Sequence, residues 1–478
     1  MPSGERVMST SGTRRLGLGF SLSVCLIATL PAISSSSPSQ ATQPRKPNIV
    51  FILADDLGYG DIGPYGQRQI LTPNLDRLAT QGIKFTNVYA GAAVCAPSRS
   101  VLMTGLHTGH TAVRANAGTI PIRDEDVTVA EVLRGAGYRT GGFGKWGLGD
   151  AESSGVPTKQ GFDEFFGYLH QIHAHTYFPD FLWHNERKHL LPGNANGGRG
   201  EYSADLIAER SLEFIRAHRD EPFFLYAPFT LPHGRFEVRD DEPYSGRDWP
   251  EAEKKFASMV TRLDGHVGRI MALLADLKLD RDTVVFFASD NGGVSGGGHD
   301  VNRFSSNGPF RGQKATLYEG GIRVPMIVRW PGRVKPNTTS SVPWGFWDVL
   351  PTLAALAGTR APDGLDGVSM LPAILGDAAG SRRPSSREFF YWEHLEFNRQ
   401  ANTLRAETMI QAVRMGDWKA VRSRPGAPLQ LYDLAHDVSE TNDVAARHPD
   451  IVSKIETYLT TARTPPRPHD TGSFEYRR

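Results

Sequence analysis

Asp55-Asp56, Cys95 and Asp290-Asn291 are the residues of this 478-residue chain whose types and surroundings point most directly to chemistry. Each acidic pair follows an apolar run, residues 48–53 in one case and 283–288 in the other. Three carboxylates and an amide brought together offer hard oxygen donors, the ligands that Ca²⁺ and Mg²⁺ prefer. Alone, an Asp-Asp dipeptide is an ordinary solvated turn; two such pairs at equivalent strand ends argue for a shared site. Cys95 stands in Val94-Cys95-Ala96-Pro97-Ser98-Arg99. Pro97 suits the first turn of a helix, which sets the thiol at a helix N-terminus, where backbone N–H groups favour an anion. A free cysteine is more often a small buried hydrophobe, so spacing alone leaves packing and catalysis both open.

The elements that must position these groups alternate. Residues 48–53, 223–229, 283–288 and 324–330 are continuous apolar runs of strand length, the pattern of strands covered on both faces. Thr72-Pro73 supplies an N-cap and first-turn proline for a short helix with Leu75 and Leu78, stopped by Gly82. Thr128 and Glu131 fit a capping box, with a strand beginning at Tyr138. Phe256, Met259, Val260, Leu263, Val267, Ile270 and Leu274 recur at helical spacing. The expected class is α/β, with a large, mostly parallel central sheet flanked by helices and ligands gathering at the carboxyl ends of the strands. After Pro372 the pattern changes: strands are expected at 388–392, 412–422 and 429–432 and a helix at 451–459, a small C-terminal antiparallel sheet with a helix. The domain reading is therefore 1–42 signal peptide and Ser-rich linker, 43–375 catalytic domain, and 376–478 C-terminal subdomain.

The first segment has Arg6, Arg14 and Arg15, an apolar run over 16–32, and Ser39-Gln40-Ala41 as a small-x-small cleavage site. It reads as an export signal, too short and glycine-interrupted for a membrane span, with Thr13-Arg14-Arg15 hinting at twin-arginine export. Its removal takes Cys25 away and leaves Cys95 without a disulfide partner, so a periplasmic or extracellular protein must here rely on its core. Lys+Arg 53 against Asp+Glu 52 gives +1, and loss of the segment leaves about −1. That balance suggests neither nucleic acid nor a membrane surface as partner.

Cys95-x-Pro97-Ser98-Arg99 with Leu102-Met103-Thr104-Gly105 resembles the signature of the formylglycine-dependent sulfatases. Asp55-Asp56-Leu57-Gly58-Tyr59-Gly60-Asp61, Gly144-Lys145-Trp146, Pro232-His233, Ser289-Asp290-Asn291-Gly292 and Lys314-x-Thr316-x-Tyr318-Glu319-Gly320-Gly321-x-Arg323 follow in the family's order. So do Gly416-Asp417-Trp418-Lys419 and Leu431-Tyr432-Asp433-Leu434, and the likeness spans roughly residues 46–460. The resemblance implies an alkaline-phosphatase-like fold and hydrolysis of sulfate monoesters, carried on carbohydrates or aryl groups. It implies that a formylglycine-generating maturation enzyme oxidises Cys95 to an aldehyde whose hydrate attacks sulfur, the second hydroxyl then expelling sulfate. By the same resemblance Asp55, Asp56, Asp290, Asn291 and residue 95 would hold one Ca²⁺. Arg99 would stabilise the hydrate, Lys145 and Lys314 would bind sulfate oxygens, and His233 would protonate the leaving oxygen.

One departure stands out: many relatives read Lys-Trp-His-Leu-Gly where this chain reads Lys145-Trp146-Gly147-Leu148-Gly149, so a second active-site histidine is missing. His107, His110, His170, His173 and His175 are candidates to replace it, and spacing does not rank them. The loop holding His173, His175, Tyr177, Phe178 and Trp183 suits a sugar-binding wall better than a zinc site, and His299 could also touch substrate. Two alternatives follow: a phosphate or phosphonate ester hydrolase on the same scaffold, and a non-catalytic sulfoglycan-binding protein that has lost turnover at Gly147.

Overall fold

The computed structural model describes residues 19–21, 46–118, 120–240, 242–376, 387–398, 400–401 and 403–467. Apart from residues 19–21, the export segment, Cys25 included, lies outside them. Eleven strands form the large sheet: β1 Asn48–Ala54, β2 Ile83–Tyr89, β3 Arg139–Lys145, β4 Glu164–Tyr168, β5 Phe181–His184, β6 Arg187–Leu190, β7 Phe223–Pro228, β8 Thr283–Ser289, β9 Arg323–Arg329, β10 Thr338–Ser340 and β11 Trp344–Gly345. Their order is β10-β2-β9-β8-β1-β7-β3-β4-β5-β6, with β11 pairing β2. The central strands β8, β1, β7, β3 and β4 are parallel, so their carboxyl ends share one edge. β9 runs antiparallel to both neighbours, and β5 and β6 close the far side as antiparallel strands.

Period-two alternation of an all-apolar strand serves two cores at once. Ile49, Phe51 and Leu53 of β1 enter one hydrophobic cluster, and Val50, Ile52 and Ala54 enter the other. Each large side chain contributes roughly 1.5–3 kcal/mol on full burial, and the one polar residue of β1, the buried Asn48, is paired with Thr283. The helices are α1 Pro73–Thr80, α2 Cys95–Thr104, α3 Val129–Gly135, α4 Ser203–Ala217, α5 Glu251–Asp276, α6 Glu319–Ile322, α7 Val349–Leu356, α8 Leu371–Leu375 and α9 Pro449–Leu459. Apolar residues of α1, α4 and α5 cover one face of the sheet, and those of α2, α3 and α7 cover the other.

Thr128 and Glu131 make the expected capping box at the start of α3. Thr72 does not cap α1. Its hydroxyl accepts the Gly63 N–H at 2.8 Å, while the Asp264 carboxylate on α5 receives the Asn74 and Leu75 N–H groups at 3.0 and 2.7 Å. A tertiary carboxylate replaces the local hydroxyl and docks the two helices together.

The second sheet consists of β12 Phe390–Asn398, β13 Thr403–Met415, β14 Trp418–Arg422 and β15 Gln430–Asp433, antiparallel in that order. The run 412–422, expected as one strand, is a hairpin: Gly416 at φ +60° and Asp417 turn the chain between paired Met415 and Trp418. This sheet shares a core with the large one. Phe390, Trp392, Ala412, Val421 and Tyr432 join the cluster of Tyr89 and Trp347, and the Trp392 indole donates to the Ala90 carbonyl at 2.9 Å.

Candidate active site

Four parallel strands deliver the polar groups to one edge. β1 ends in Asp55-Asp56, β8 in Asp290-Asn291, β3 in Lys145, and the loop after β7 carries His233. The Asp290 N–H donates to the Ala54 carbonyl at 3.0 Å, and the Asp56 N–H donates to Asp290 Oδ1 at 3.1 Å, which locks the two acidic pairs side by side. Cys95 begins α2, a helix whose ten residues are all buried. Its Sγ lies 3.2 Å from Asp55 Oδ1 and 3.7 Å from Asp56 Oδ1.

One turn further, Arg99 fans across the site. Its Nε and Nη2 donate to Asp290 Oδ2 at 3.0 and 2.7 Å, and Nη1 donates to the Lys145 carbonyl at 2.6 Å. Lys145 and Lys314 each reach a carboxylate at 2.7 Å, Asp55 Oδ2 and Asp56 Oδ2 respectively. His233 Nε2 lies 3.5 Å from Asp56 Oδ2. The structure thus brings together Asp55, Asp56, Cys95, Arg99, Lys145, His233, Asp290, Asn291 and Lys314, from segments up to 259 positions apart in the chain.

Burial alone would raise the Asp55 carboxyl, but Lys145, His233, Arg99 and Lys314 outweigh it and hold it well below the usual range. Asp56 is lowered in the same way, chiefly by Lys314 and His233 against burial. Asp290 is pushed up to about 6 by burial and by the charge of Asp55, with Arg99 opposing. Burial raises the Cys95 thiol well above its usual range, and Asp290 and Asp55 add to the effect. A thiol facing carboxylates is a poor source of thiolate, so the unmodified cysteine is badly placed to be the nucleophile itself.

The donor set suits a hard divalent cation. Asp55, Asp56, Cys95 and His233 place one ligand atom each within 4.8 Å of one another. Asn291 is fully buried and donates from Nδ2 to Asp56 Oδ1 at 2.8 Å, yet its Oδ1 has no partner among the described residues. A cation held by the neighbouring carboxylates would satisfy that buried acceptor.

The remaining histidines divide. The His175 ring stacks on His233 with centroids 4.6 Å apart. His173 is buried between Tyr168 and Phe181, with ring centroids 5.0 and 4.5 Å away. His299 gives Nδ1 to Glu253 Oε2 at 2.7 Å and stacks on Phe256 at 3.9 Å, in the α5 core rather than among the strand-end groups. His107 and His110 both face Asp366, and the His107 ring lies against Trp347 and Tyr391. The two histidine rings stack at 4.3 Å and 25°, and with Asp366 they place one ligand atom each within 4.8 Å of one another, apart from the strand-end acids. Tyr177, expected in a sugar-binding wall, is fully buried and is instead a support, and Gln171 is a second that the sequence did not signal. The Tyr177 hydroxyl sits 2.6 and 2.9 Å from the Thr230 and His233 carbonyls and braces the His233 loop. Gln171 fills the space over Gly147 and bonds to Asn116; an isolated Gln in a histidine-rich loop gives no spacing signal.

No helix among the described residues is long and apolar enough to cross a membrane. The Sulfatase family model matches residues 47–359, and the model described as N-sulphoglucosamine sulphohydrolase, C-terminal, matches residues 311–464. The chain is 30% identical to N-acetylgalactosamine-6-O-sulfatase of Bacteroides thetaiotaomicron, over 88% of this chain and 94% of the relative. It is 33% identical to human arylsulfatase A, over 86% and 87%. The solved structure of Ps i-CgsB in complex with k-i-k-neocarrahexaose superposes with a TM-score of 0.77 at 29% identity, covering 88% of this chain and 94% of the other. Formylglycine and Ca²⁺ are general to this family. Matches this long, on a sheet edge carrying the family's strand-end acids and its Cys-x-Pro-Ser-Arg helix, leave one assignment: the chain belongs to the sulfatases, hydrolases of sulfuric esters.

Proposed function

We propose that this sulfatase is exported and removes sulfate from carbohydrates, using formylglycine formed from Cys95 and one Ca²⁺ held by Asp55, Asp56, Asp290, Asn291 and residue 95. The observation that carries this reading is the convergence of three buried carboxylates with Arg99, Lys145 and Lys314 around Cys95, beside the unpaired Asn291 Oδ1. Formylglycine, as a hydrated aldehyde, supplies the oxygen nucleophile that the buried thiol does not, and Ca²⁺ supplies a Lewis acid for the sulfate oxygens. The chain's own groups do the rest. Arg99, bonded to Asp290 and the Lys145 carbonyl, fixes the orientation of residue 95 on α2. Lys145 and Lys314 meet the sulfate charge in a water-poor pocket, where fixed cations act most strongly. His233 carries the proton for the departing alcohol oxygen; its Nδ1 has no partner among the described residues. His175, stacked on that ring, borders the substrate.

The names of the relatives, an N-acetylgalactosamine-6-O-sulfatase and a protein solved in complex with k-i-k-neocarrahexaose, support a sulfated sugar as the substrate class. The N-terminal segment with its Ser39-Gln40-Ala41 site supports periplasmic or extracellular placement. The domain reading, catalytic to residue 375 and C-terminal beyond it, accords with all strands of the small sheet falling after Phe390. The matured enzyme is to be assayed for sulfate release from sulfated mono- and oligosaccharides, with phosphate and phosphonate esters alongside. Faster turnover of a sulfated sugar is the expected outcome; preference for phosphorus esters, or binding of sulfated sugar without release of sulfate, would overturn the proposal.

A further inference from the structure

Gly147 sits at φ +80°, a conformation that costs an L side chain, and the space above it is filled. A Cβ there would lie 3.0 Å from both Cδ and Nε2 of Gln171. The missing histidine is therefore not a gap: the corner has been rebuilt around an amide. Gln171 is 3% exposed, and its Nε2 donates to Asn116 Oδ1 at 2.9 Å. The same Asn116 oxygen accepts the backbone N–H of Ala96, at 3.3 Å.

Those two contacts fix both amides. The Ala96 N–H needs an oxygen from Asn116, and that oxygen needs a donor from Gln171; turning either amide would set like against like. Gln171 Oε1 is thereby committed as the remaining acceptor, buried and without a partner among the described residues. Leaving such a group buried and unpaired is unfavourable, and a ligand hydroxyl is a donor that would satisfy it. Through Asn116 the amide is tied to Ala96, next to residue 95, and it packs over Gly147, two positions past Lys145, which sets it at the border of the strand-end site.

We infer that Gln171 is a further functional residue of the sulfatase site, its Oε1 accepting a hydrogen bond from a hydroxyl in the substrate complex. Resting on the sulfatase reading above, the inference names the hydroxyl's two sources: the sugar, or the hydrate of residue 95.

Gln171→Met keeps length and removes both polar atoms. The matured holoenzyme and this variant are to be compared on 4-nitrophenyl sulfate, which has no hydroxyl, and on N-acetylgalactosamine 6-sulfate, with formylglycine content and unfolding midpoint measured for both. The expected loss in kcat/KM is roughly tenfold to a hundredfold. Loss of kcat on both substrates with KM held assigns the hydroxyl to residue 95; loss on the sugar alone assigns it to the substrate. A role in packing alone would move the unfolding midpoint and leave the matured enzyme's kinetics unchanged on both substrates, and that result overturns the inference. Should Gln171→Met not fold, Gln171→Asn keeps the amide but withdraws its oxygen by about 1.5 Å; the same loss is expected, and wild-type kinetics would again overturn it. An active wild type lacking formylglycine would sink the proposed mechanism instead, so the two failures are distinct.

Discussion

Two buried ionic clusters occupy this molecule, and they differ in what they leave unpaired. Under the small sheet, Lys419 lies 2.8 Å from Glu319 and 3.0 Å from Glu440, Arg323 and Tyr89 hold the other Glu319 oxygen, and the Glu319 N–H fills the second oxygen of Glu440. Every carboxylate oxygen there has a cation or donor within 3.0 Å, although Glu440 Oε1 faces Lys419 as an ion pair without a hydrogen bond. At the strand ends, Asp55, Asp56 and Asp290 are equally buried and equally surrounded by cations, yet Asn291 Oδ1 and His233 Nδ1 remain without partners. Carboxylates matched to a shared cation mark a cluster that joins two sheets; a neutral buried acceptor and a ring nitrogen held open mark the one proposed above to take a cation and a substrate.

The contrast is broken most forcefully at Cys95. Cys95→Ala should abolish turnover in a folded protein, and Cys95→Ser should release at most one alcohol per site, since a serine has no second hydroxyl to expel sulfate; sustained release by the serine variant would refute this. Next comes Lys419→Met, which removes the cation shared by Glu319 and Glu440, leaving Glu319 to Arg323 and Glu440 as a buried carboxyl without a cation. A stability loss of about 3–5 kcal/mol in denaturant titration is expected, with the specific activity of the folded fraction kept.

Lys145→Met should do the reverse. Its kcat should fall roughly 10²- to 10³-fold, the scale seen when one fixed electrostatic partner of a transition state is removed, in protein that still folds. Ca²⁺ sharpens the same distinction: chelation should suppress activity and Ca²⁺ restore it, and at 100 times its Kd the ion should stabilise the matured protein by about 2.7 kcal/mol. Lys419→Met should leave that increment intact, and Asn291→Leu should shrink it.

The smallest effect is on acid stability. Burial would raise Glu319, but Lys419, Arg323 and Arg414 hold it at about 2, below the ordinary 4.5. A depressed carboxyl contributes stability that is fully present above its unfolded value and disappears as pH falls through its folded one. Its contribution should therefore fade between about pH 4.5 and 2, with Glu440, which burial raises, titrating earlier. Thermal melts of Lys419→Met across that window should show a flatter profile than the wild type.

Much of the strand-end site was legible because its signals are local. An apolar run ending in Asp-Asp announces both the strand and the group it delivers, and residues 48–53 and 283–288 became β1 and β8 with their acids side by side. What escaped was set by distant partners. Asp264 caps α1 from 189 positions away, Lys419 meets Glu319 across 100, and Gln171 is fixed by Asn116 across 55. No local pattern encodes those pairings. The hairpin at Gly416-Asp417 was readable in principle, since glycine and aspartate inside a strand-like run are turn residues; the apolar run around them hid the break.

The central claim is that residue 95 works as an aldehyde rather than a thiol. Mass spectrometry of the peptide spanning Val94 to Arg99, from protein co-expressed with a formylglycine-generating enzyme, tests it when sulfate release is measured on the same preparations. The rate should rise in proportion to the fraction of residue 95 converted to formylglycine; a fully active protein whose Cys95 remains an unmodified thiol would contradict it.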